Sequence, residues 1–294
     1  MYQYNNKDLK IVSVIFAVLA ILFFIGQSTQ PKTQSNTFPV EQISIAPEEF
    51  IGSSFYAYDI PSDKILFAQN ENEILPLAFI TKLMTAYVAL KSLPKETIVS
   101  ISSSAISMTD DHGLLVDEKW LLEDLAKFTL LVSSNDGARA IREKFEATLP
   151  NSFVASMNAY AELLGMNNTT FYNESGLDEG LLAGSYGTAS DVAILLETFS
   201  NEYPQVLATT AMKNVSITSL SGITHNIENT NESIYTYPGR LGSKTGLTNI
   251  AGGNLAFIFD RGVLSPTVVV VLGSTKEGRF EDMHVLVDAV LGLK

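Results

Sequence analysis

The sequence contains no cysteine and only three histidines, His112, His225 and His284. Without cysteine the chain can form no disulfide bond and can use no thiolate as a nucleophile or metal ligand. The histidines are far apart and show no metal-ligand spacing. Their positions argue against a metal site and against a Ser-His-Asp triad, although folding can still bring one histidine to a site. No metal and no cofactor are therefore expected.

Positive charge is also scarce. The chain has 19 Lys and Arg against 32 Asp and Glu, which gives a formal net charge of −13. Proteins that bind nucleic acid present a basic patch or stripe, so nucleic acid is not an expected partner. Apolar residues make up 46% of the 294 residues. This is enough for the core of one large domain or of two small ones.

The longest apolar run lies near the N-terminus, at residues 11–25, and it follows Lys7 and Lys10. Taken as residues 9–26, it can just cross a hydrocarbon core of about 30 Å, with Lys10 reaching back to the interface. The run lacks the polar stripe of a buried helix, and no small-residue cleavage site follows it. We therefore predict an uncleaved, single-pass anchor in the cell membrane, with a cleaved signal peptide as the alternative. The flanking lysines place residues 1–8 in the cytoplasm.

Residues 27–49 are rich in Gln, Ser, Thr and Pro and have almost no periodicity. This composition is typical of a flexible linker, and about 20 such residues span roughly 25 Å. The predicted organisation is therefore an anchor, a linker and one extracytoplasmic domain at residues 50–294.

The first half of this domain contains a hairpin and a buried helix. Residues 53–70 hold two strand-like runs around the turn P-S-D-K, which predicts a β-hairpin. Residues 78–93 are apolar on most faces, which predicts a helix deep in the core that ends before Pro94. Further along, Thr188 or Ser190 is the candidate N-cap of another helix.

The rest of the domain changes from helical to strand-like patterns. Residues 120–164 show a helical pattern, whereas the segments after Pro238 are strand-like and separated by Gly, Asp and Pro turns, before a closing helix. Strands at both ends with helices between them predict an α+β domain whose terminal strands meet in one antiparallel sheet.

Three short motifs follow one another along the domain. They are F-I-T-K at 79–82, S-S-N at 133–135 and K-T-G at 244–246. The set resembles that of the penicillin-recognising serine peptidases, S-x-x-K, S-x-N and K-T-G. Longer segments such as LLVSSNDGARAI and YPGRLGSKTGLTNIAGGNL are similar to the low-molecular-mass D-alanyl-D-alanine carboxypeptidases, and the likeness runs from about Ser53 to Asp288. It implies an antiparallel sheet flanked by helices, an all-helical subdomain, and an active site between them.

The resemblance also implies catalytic roles. A lysine can act as a base only when it is neutral, and burial or adjacent positive charge lowers its pKa. Serine and lysine three positions apart lie on the same face of a helix, so the amine can reach the hydroxyl. By position, Lys82 is that base, Ser133 passes the proton to the leaving amine, and Asn135 orients Lys82 and the substrate amide.

The K-T-G segment implies a binding strand for the substrate, which in this family is a peptidoglycan stem peptide ending in D-Ala-D-Ala. Lys244 and Thr245 bind its terminal carboxylate, and Gly246 leaves room for the peptide along the strand edge. The oxyanion donors are the backbone N–H groups of Phe79 and Leu247. Taken singly, the motifs also fit a solvated lysine, a helix cap and a turn, but their order favours a site.

The departure from the family pattern is Phe79, which stands where the nucleophilic serine is expected. A phenyl ring has no nucleophile, and it is large enough to crowd the place of the substrate carbonyl. Ser92 lies at the end of the helix beside Pro94, Thr81 points elsewhere, and Ser133 is on the wrong side to use the oxyanion donors. We therefore predict that acyl-serine chemistry has been lost.

Three hypotheses remain open. The first is a membrane-anchored pseudoenzyme that binds D-Ala-ended stem peptides or a partner without cleaving them. The second is an active serine-type D-Ala-D-Ala carboxypeptidase in which a local rearrangement offsets Phe79. The third is a tethered cell-wall scaffold with a vestigial groove. A class A β-lactamase fits less well, because no segment offers its deacylating glutamate.

Overall fold

Strands from both ends of the domain pair in one antiparallel sheet. The computed structural model describes residues 50–108, 113–262 and 264–293. The strands of this sheet are β1 (Ser54–Asp59), β2 (Lys64–Gln69), β10 (Arg240–Thr248), β11 (Gly252–Asp260) and β12 (Pro266–Ser274). Their order is β10-β11-β12-β1-β2, and every neighbouring pair is antiparallel. The predicted meeting of the terminal strands is confirmed.

Shorter strands form three small sheets away from the main one. These are β3 (Leu75–Pro76), β6 (Thr170–Phe171) and β7 (Ser185–Gly187) in one sheet, β4 (Ile98–Ser100) and β5 (Lys119–Leu121) in the second, and β8 (Asn214–Thr218) and β9 (Thr224–Glu228) in the third. The β8–β9 hairpin was not predicted from the sequence. Val215 and Ile217 alternate with polar residues in β8, but β9 has a single aliphatic residue, Ile227, and both strands are mostly exposed.

The described residues form eight α-helices. They are α1 (Thr81–Ser92), α2 (Ser103–Ile106), α3 (Leu122–Val132), α4 (Asn135–Thr148), α5 (Phe153–Leu164), α6 (Ala189–Glu202), α7 (Pro204–Thr209) and α8 (Gly278–Gly292). Helix α8 packs on one face of the main sheet and α6 on the other, while α1 to α5 pack largely against one another. This is the α+β fold with a helical subdomain that the resemblance implied.

Strand β12 shows why the sheet is covered on both faces. Successive side chains of a strand point to opposite faces. Val268 and Val270 belong to the core shared with α1 and the other helices, whereas Val269 and Val271 belong to the core beneath α8. A strand buried on both faces reads as a continuous apolar run, which is the pattern of this segment.

Helix α1 is the buried helix that the sequence predicts. Its residues Thr81–Leu90 are all buried. The helix ends at Ser92, and Leu93 is extended (φ −125°, ψ 148°). The following Pro94 disfavours the helical region for the residue before it, which accounts for the end of the helix.

Two local expectations are refined by the structure. Trp120, predicted to be helical, lies in β5 opposite Val99, and its fully buried ring contacts the ring of Phe128. Packing of this large ring outweighs the local helical pattern, so the helix begins two residues later. Of the two candidate N-caps, Thr188 caps α6, because its hydroxyl accepts a hydrogen bond from the backbone N–H of Asp191.

Within the described part of the chain, no helix is both long and apolar enough to cross a membrane. The predicted cytoplasmic segment, anchor and linker at 1–8, 9–26 and 27–49 lie outside the described residues. They remain predictions.

Candidate active site

The three motifs, distant in sequence, meet in one place. Lys82 on α1 donates a hydrogen bond from Nζ to Oδ1 of Asn135, 53 residues later, at 2.8 Å. Lys244 on β10 donates from Nζ to Oγ of Ser133, 111 residues earlier, at 2.9 Å. The structure therefore brings the sequence-predicted polar residues into one connected site.

A turn between α3 and α4 aims Ser133 into the site. Ser133 has left-handed backbone angles (φ 62°, ψ 35°), which cost a residue other than glycine roughly 1–3 kcal/mol. The next residue, Ser134, caps α4 by accepting a hydrogen bond from the N–H of Gly137 at 3.0 Å. This cap holds Asn135 at the first position of α4, within reach of Lys82.

Lys82 is fully buried and is held from two sides. Besides Asn135, its Nζ contacts the backbone carbonyl of Ser175 at 3.1 Å. One turn along α1, the hydroxyl of Thr85 donates to the carbonyl of Glu174 at 2.5 Å. Both hydrogen bonds therefore connect the loop of residues 174 and 175 to the same face of α1, next to the buried amine of Lys82.

Ion pairs also connect this loop to α4. The buried carboxylate of Glu174 forms ion pairs with Arg139 at 3.0 Å and Arg142 at 2.9 Å. Two guanidinium groups offset the cost of burying one carboxylate. The position of the Ser175 carbonyl beside Lys82 therefore depends on α4 as well as on α1.

Phe79 stands directly against Lys82. It lies in a short 3-10 helix (Ala78–Ile80) before α1, and its ring centroid is 3.7 Å from Nζ of Lys82. An ammonium group over an aromatic face is attracted by the ring quadrupole, by about 2 kcal/mol when the pair is desolvated. The ring fills the space next to Nζ of Lys82 that the hydroxyl of a serine would occupy.

Two glycines, Gly246 and Gly176, lie close to the backbone of the 3-10 helix that contains Phe79. A Cβ on Gly246 would lie 2.9 Å from the carbonyl oxygen of Leu77 and 3.2 Å from the backbone nitrogen of Phe79. A Cβ on Gly176 would lie 1.9 Å from the carbonyl oxygen of Ala78, a residue that itself has a positive φ of 49°. The predicted role of Gly246, to leave room for a peptide, remains a prediction; the structure shows that this glycine allows the close approach of β10 to the turn.

Lys244 is buried next to a second positively charged side chain, that of Arg279. It is buried, and its Nζ also donates to the carbonyl of Thr245 at 2.8 Å. Burial, and to a lesser extent the nearby charge of Arg279, lower the pKa of Lys244 to about 7. The Arg279 guanidinium donates to the carbonyl of Gly246 at 2.8 Å, which places two basic side chains beside one strand.

A cleft of about 670 Å³ opens over these groups. Its lining includes Phe79, Ser133, Thr245, Leu247, Asp178 and Arg279. Because β10 is at the edge of the main sheet, one side of this strand is available for an extended peptide to pair with. Arg279 and Thr245 bring a guanidinium and a hydroxyl to this lining, and both are groups that bind carboxylates.

Among the lining residues that were given no role from sequence, Thr230 and Arg279 make hydrogen bonds to β10 from other parts of the fold. Thr230 contacts Thr245, with 2.6 Å between their hydroxyl oxygens, and Arg279 reaches the strand from α8. Both stand within the stretch from about Ser53 to Asp288 over which the sequence resembles the family. No local pattern marks either residue, because their placement depends on how the loop after β9 and helix α8 pack against β10.

The other hydroxyls considered as nucleophiles are engaged elsewhere. Thr81 donates to the carbonyl of Ala78 at 2.7 Å and lies 2.5 Å from the hydroxyl of Ser185. Ser92 is at the far end of α1. Among the described residues, no group of three or more His, Asp or Glu side chains is placed to hold a metal ion.

Known proteins resemble this chain in sequence and in fold. Residues 41–276 match the D-alanyl-D-alanine carboxypeptidase family. A D-alanyl-D-alanine endopeptidase of Pseudomonas aeruginosa is 31% identical over 257 residues, which cover 84% of this chain and 76% of the relative. The D-alanyl-D-alanine carboxypeptidase DacF of Bacillus subtilis is 31% identical over 242 residues, which cover 76% of this chain and 58% of that protein. A D-alanyl-D-alanine carboxypeptidase from Mycobacterium tuberculosis H37Rv has a similar structure, with a TM-score of 0.77 and 26% identity over 87% of this chain and 96% of that one.

Proposed function

The chain belongs to the D-alanyl-D-alanine carboxypeptidase family, and from this premise we propose that its cleft binds peptidoglycan stem peptides ending in D-Ala-D-Ala without forming an acyl-enzyme. The observation that carries the proposal is the contact of 3.7 Å between the Phe79 ring and Nζ of Lys82. In the S-x-x-K pattern that position belongs to the serine that the lysine activates.

The proposed loss of chemistry follows from two properties of Phe79. Its side chain has no hydroxyl, so no ester bond to the substrate can form there. Its ring also fills the space next to Nζ of Lys82, where the hydroxyl of a serine and the substrate carbonyl would have to meet. Both effects act against acylation at the same step.

The proposed binding rests on groups that do not depend on Phe79. A terminal carboxylate beside Thr245 meets the ammonium of Lys244 and the guanidinium of Arg279, both buried within hydrogen-bonding distance of β10. Charge-assisted hydrogen bonds to a carboxylate are among the stronger polar contacts. The rest of the peptide extends along the edge of β10 past Leu247.

Labelling with a fluorescent penicillin tests the loss of chemistry, because such labelling requires an acylated nucleophile. We expect no labelled band from the full chain and no release of D-alanine from an acyl-D-Ala-D-Ala peptide. D-alanine release that disappears on Lys82→Ala would overturn the proposal.

Calorimetry with the same acyl-D-Ala-D-Ala peptide tests the binding. We expect weak binding that is lost on Lys244→Ala. Absence of binding, or binding that is indifferent to this change, favours the scaffold hypothesis instead.

An active carboxypeptidase is the second candidate, and one observation favours it. Ser133 keeps a hydrogen bond of 2.9 Å to Lys244, and Asn135 keeps one of 2.8 Å to Lys82, as a working site of this family needs. The penicillin experiment separates the two candidates, since only an active enzyme is labelled.

A further inference from the structure

A second cavity adjoins the loop that borders the cleft. Leu177 and Asp178 of this loop line the cleft, whereas the next residue, Glu179, lines a separate cavity of about 390 Å³. This cavity, the tyrosine pocket, is lined by Tyr172, Asn173, Glu179, Leu182, Ala183, Gly184 and Tyr186. The proposed function makes no use of it.

Two aromatic rings form a corner of the tyrosine pocket. The rings of Tyr172 and Tyr186 stand at 84° to each other, with 6.2 Å between their centroids. Tyr186 lies in β7 and Tyr172 directly follows β6, so the pairing of these two strands brings the rings together. Tyr172 is 60% exposed, which leaves much of its ring open to a ligand. Because the face of an aromatic ring carries negative potential, such a corner attracts a cation.

A carboxylate adds negative charge to this corner. Oε1 of Glu179 accepts a hydrogen bond of 3.1 Å from the amide of Asn173, a buried residue that also donates to the carbonyl of Leu177 at 2.9 Å. Among the described residues that line the tyrosine pocket, Glu179 is the only charged one. The pocket is therefore complementary to a positively charged ligand.

The wall that carries Glu179 is held by backbone hydrogen bonds. The N–H of Glu179 donates to the carbonyl of Leu182 at 2.8 Å, and the N–H of Leu182 donates back at 3.2 Å. The N–H of Ala183 donates to the hydroxyl of Tyr186 at 3.3 Å. A pocket whose walls are already ordered gives up little conformational entropy when a ligand binds.

We infer that the tyrosine pocket binds a quaternary ammonium group, of the kind that choline and betaine carry. A primary ammonium group has three N–H donors that need acceptors. Here Oε1 of Glu179 already accepts from Asn173, and the Tyr186 hydroxyl accepts from Ala183. A methylated nitrogen needs no acceptor, and its methyl groups pack against the two rings and Leu182. Aromatic cages of this kind recognise quaternary ammonium ligands.

Titration of the full chain with choline chloride, followed by ligand-detected NMR at constant ionic strength, tests the inference. Two molecules of similar size provide the comparison. One is 3,3-dimethylbutanol, which has carbon in place of the charged nitrogen, and the other is ethanolamine, whose nitrogen carries no methyl group. We expect choline to bind about tenfold more tightly than either, because it alone combines charge with apolar methyl groups.

Substitutions at the pocket test its individual groups. Tyr172→Leu and Glu179→Gln should each weaken choline binding about two- to fivefold. Tyr186→Phe keeps the ring and should leave the affinity unchanged. Tyr235→Leu is the matched control, because Tyr235 is 57% exposed and lines a different cavity. It should also leave the affinity unchanged.

The inference is wrong if choline affinity is indifferent to Tyr172→Leu, or if 3,3-dimethylbutanol or ethanolamine binds as tightly as choline. Neither result touches the proposed function, which depends on the cleft.

Sedimentation with lipid vesicles separates two sources of the quaternary ammonium group. If it belongs to a lipid headgroup, Tyr172→Leu lowers binding to phosphatidylcholine vesicles but not to phosphatidylglycerol vesicles. If it belongs to a soluble molecule, the substitution weakens choline binding and changes binding to neither kind of vesicle. Both results support the site.

Discussion

The ring of Phe79 lies face-on to the ammonium group of Lys82, with 3.7 Å between ring centroid and Nζ. Lys82 is fully buried and also bound to Asn135 and to the carbonyl of Ser175. The lysine thus remains in the position expected of a base, but its partner is an aromatic ring in place of a hydroxyl. The remaining hydrogen bonds of the site do not pass through Phe79.

The first prediction is that Phe79→Ser restores acylation by penicillin. Lys82 is one helical turn away, and Ser133 and Asn135 are hydrogen-bonded in place. We expect an adduct to form where the unmutated chain forms none, at a rate as much as about 100-fold below that of a fully active enzyme, since a misplacement of about 1 Å costs about that factor. Intact-protein mass spectrometry measures the adduct.

Phe79→Ala is the matched control for this first prediction, because it removes the ring without adding a hydroxyl. It should remain unlabelled, as should the double variant Phe79→Ser with Lys82→Ala. If Phe79→Ser is folded but forms no adduct, the loss of chemistry extends beyond this residue.

The second prediction concerns the pH dependence of carboxylate binding. Burial, followed by the charge of Arg279, lowers the pKa of Lys244 to about 7. Below that pH the amine is charged and attracts a carboxylate, and above it the attraction is lost. We expect the affinity for acyl-D-Ala-D-Ala to fall as the pH rises above about 7, by at most about tenfold for each unit.

Calorimetry at several pH values on either side of neutrality measures this second effect. Lys244→Met provides the comparison, because it removes the titrating group from the same position. Its weaker residual binding should not vary over this range. An affinity that is constant with pH in the unmutated chain would show that Lys244 does not contact the carboxylate.

The third prediction concerns the glycine behind the 3-10 helix. Gly176 has a φ of +81°, and an added Cβ would lie 1.9 Å from the carbonyl oxygen of Ala78. Backbone atoms cannot move aside cheaply, so we expect Gly176→Ala to lower the free energy of unfolding by about 3 kcal/mol or more, combining backbone strain with overpacking. Urea denaturation measures the change.

Gly180→Ala is the matched control for the third prediction. Gly180 also has a positive φ, of +65°, but an added Cβ meets no atom within 4 Å. It should cost only about 1 kcal/mol, from the left-handed backbone alone. Equal losses in the two variants would mean that the contact with Ala78 does not matter.

The fourth prediction concerns the apolar run at residues 9–26, which we propose to be a retained membrane anchor. It has no charged residue between Lys10 and its end. We expect the full chain to fractionate with membranes, and mass spectrometry of the mature protein to find residues upstream of Gly26. A mature N-terminus between Gln27 and Ser35 would show that the run is cleaved.

The sequence by itself determined the features that depend on neighbouring residues. The apolar run of residues 78–93 determined the buried helix α1, Pro94 determined its end, and Thr188 was one of two candidates to cap α6. Local interactions can be predicted from the sequence, because helix capping, proline geometry and the periodicity of apolar residues each involve only a turn or two of chain. The family resemblance of the motifs also predicted the contact between Lys82 and Asn135, but not the one between Lys244 and Ser133.

The tertiary structure alone decided how those side chains meet. The left-handed turn that aims Ser133 at Lys244, the approach of Arg279 to Gly246 and the adjacency of Thr230 to Thr245 join residues far apart in the chain. Burial of Lys244 beside a second cation, which lowers its pKa, likewise exists only once these elements have packed. Desolvation and charge proximity depend on distances in space, and no spacing along the chain specifies them.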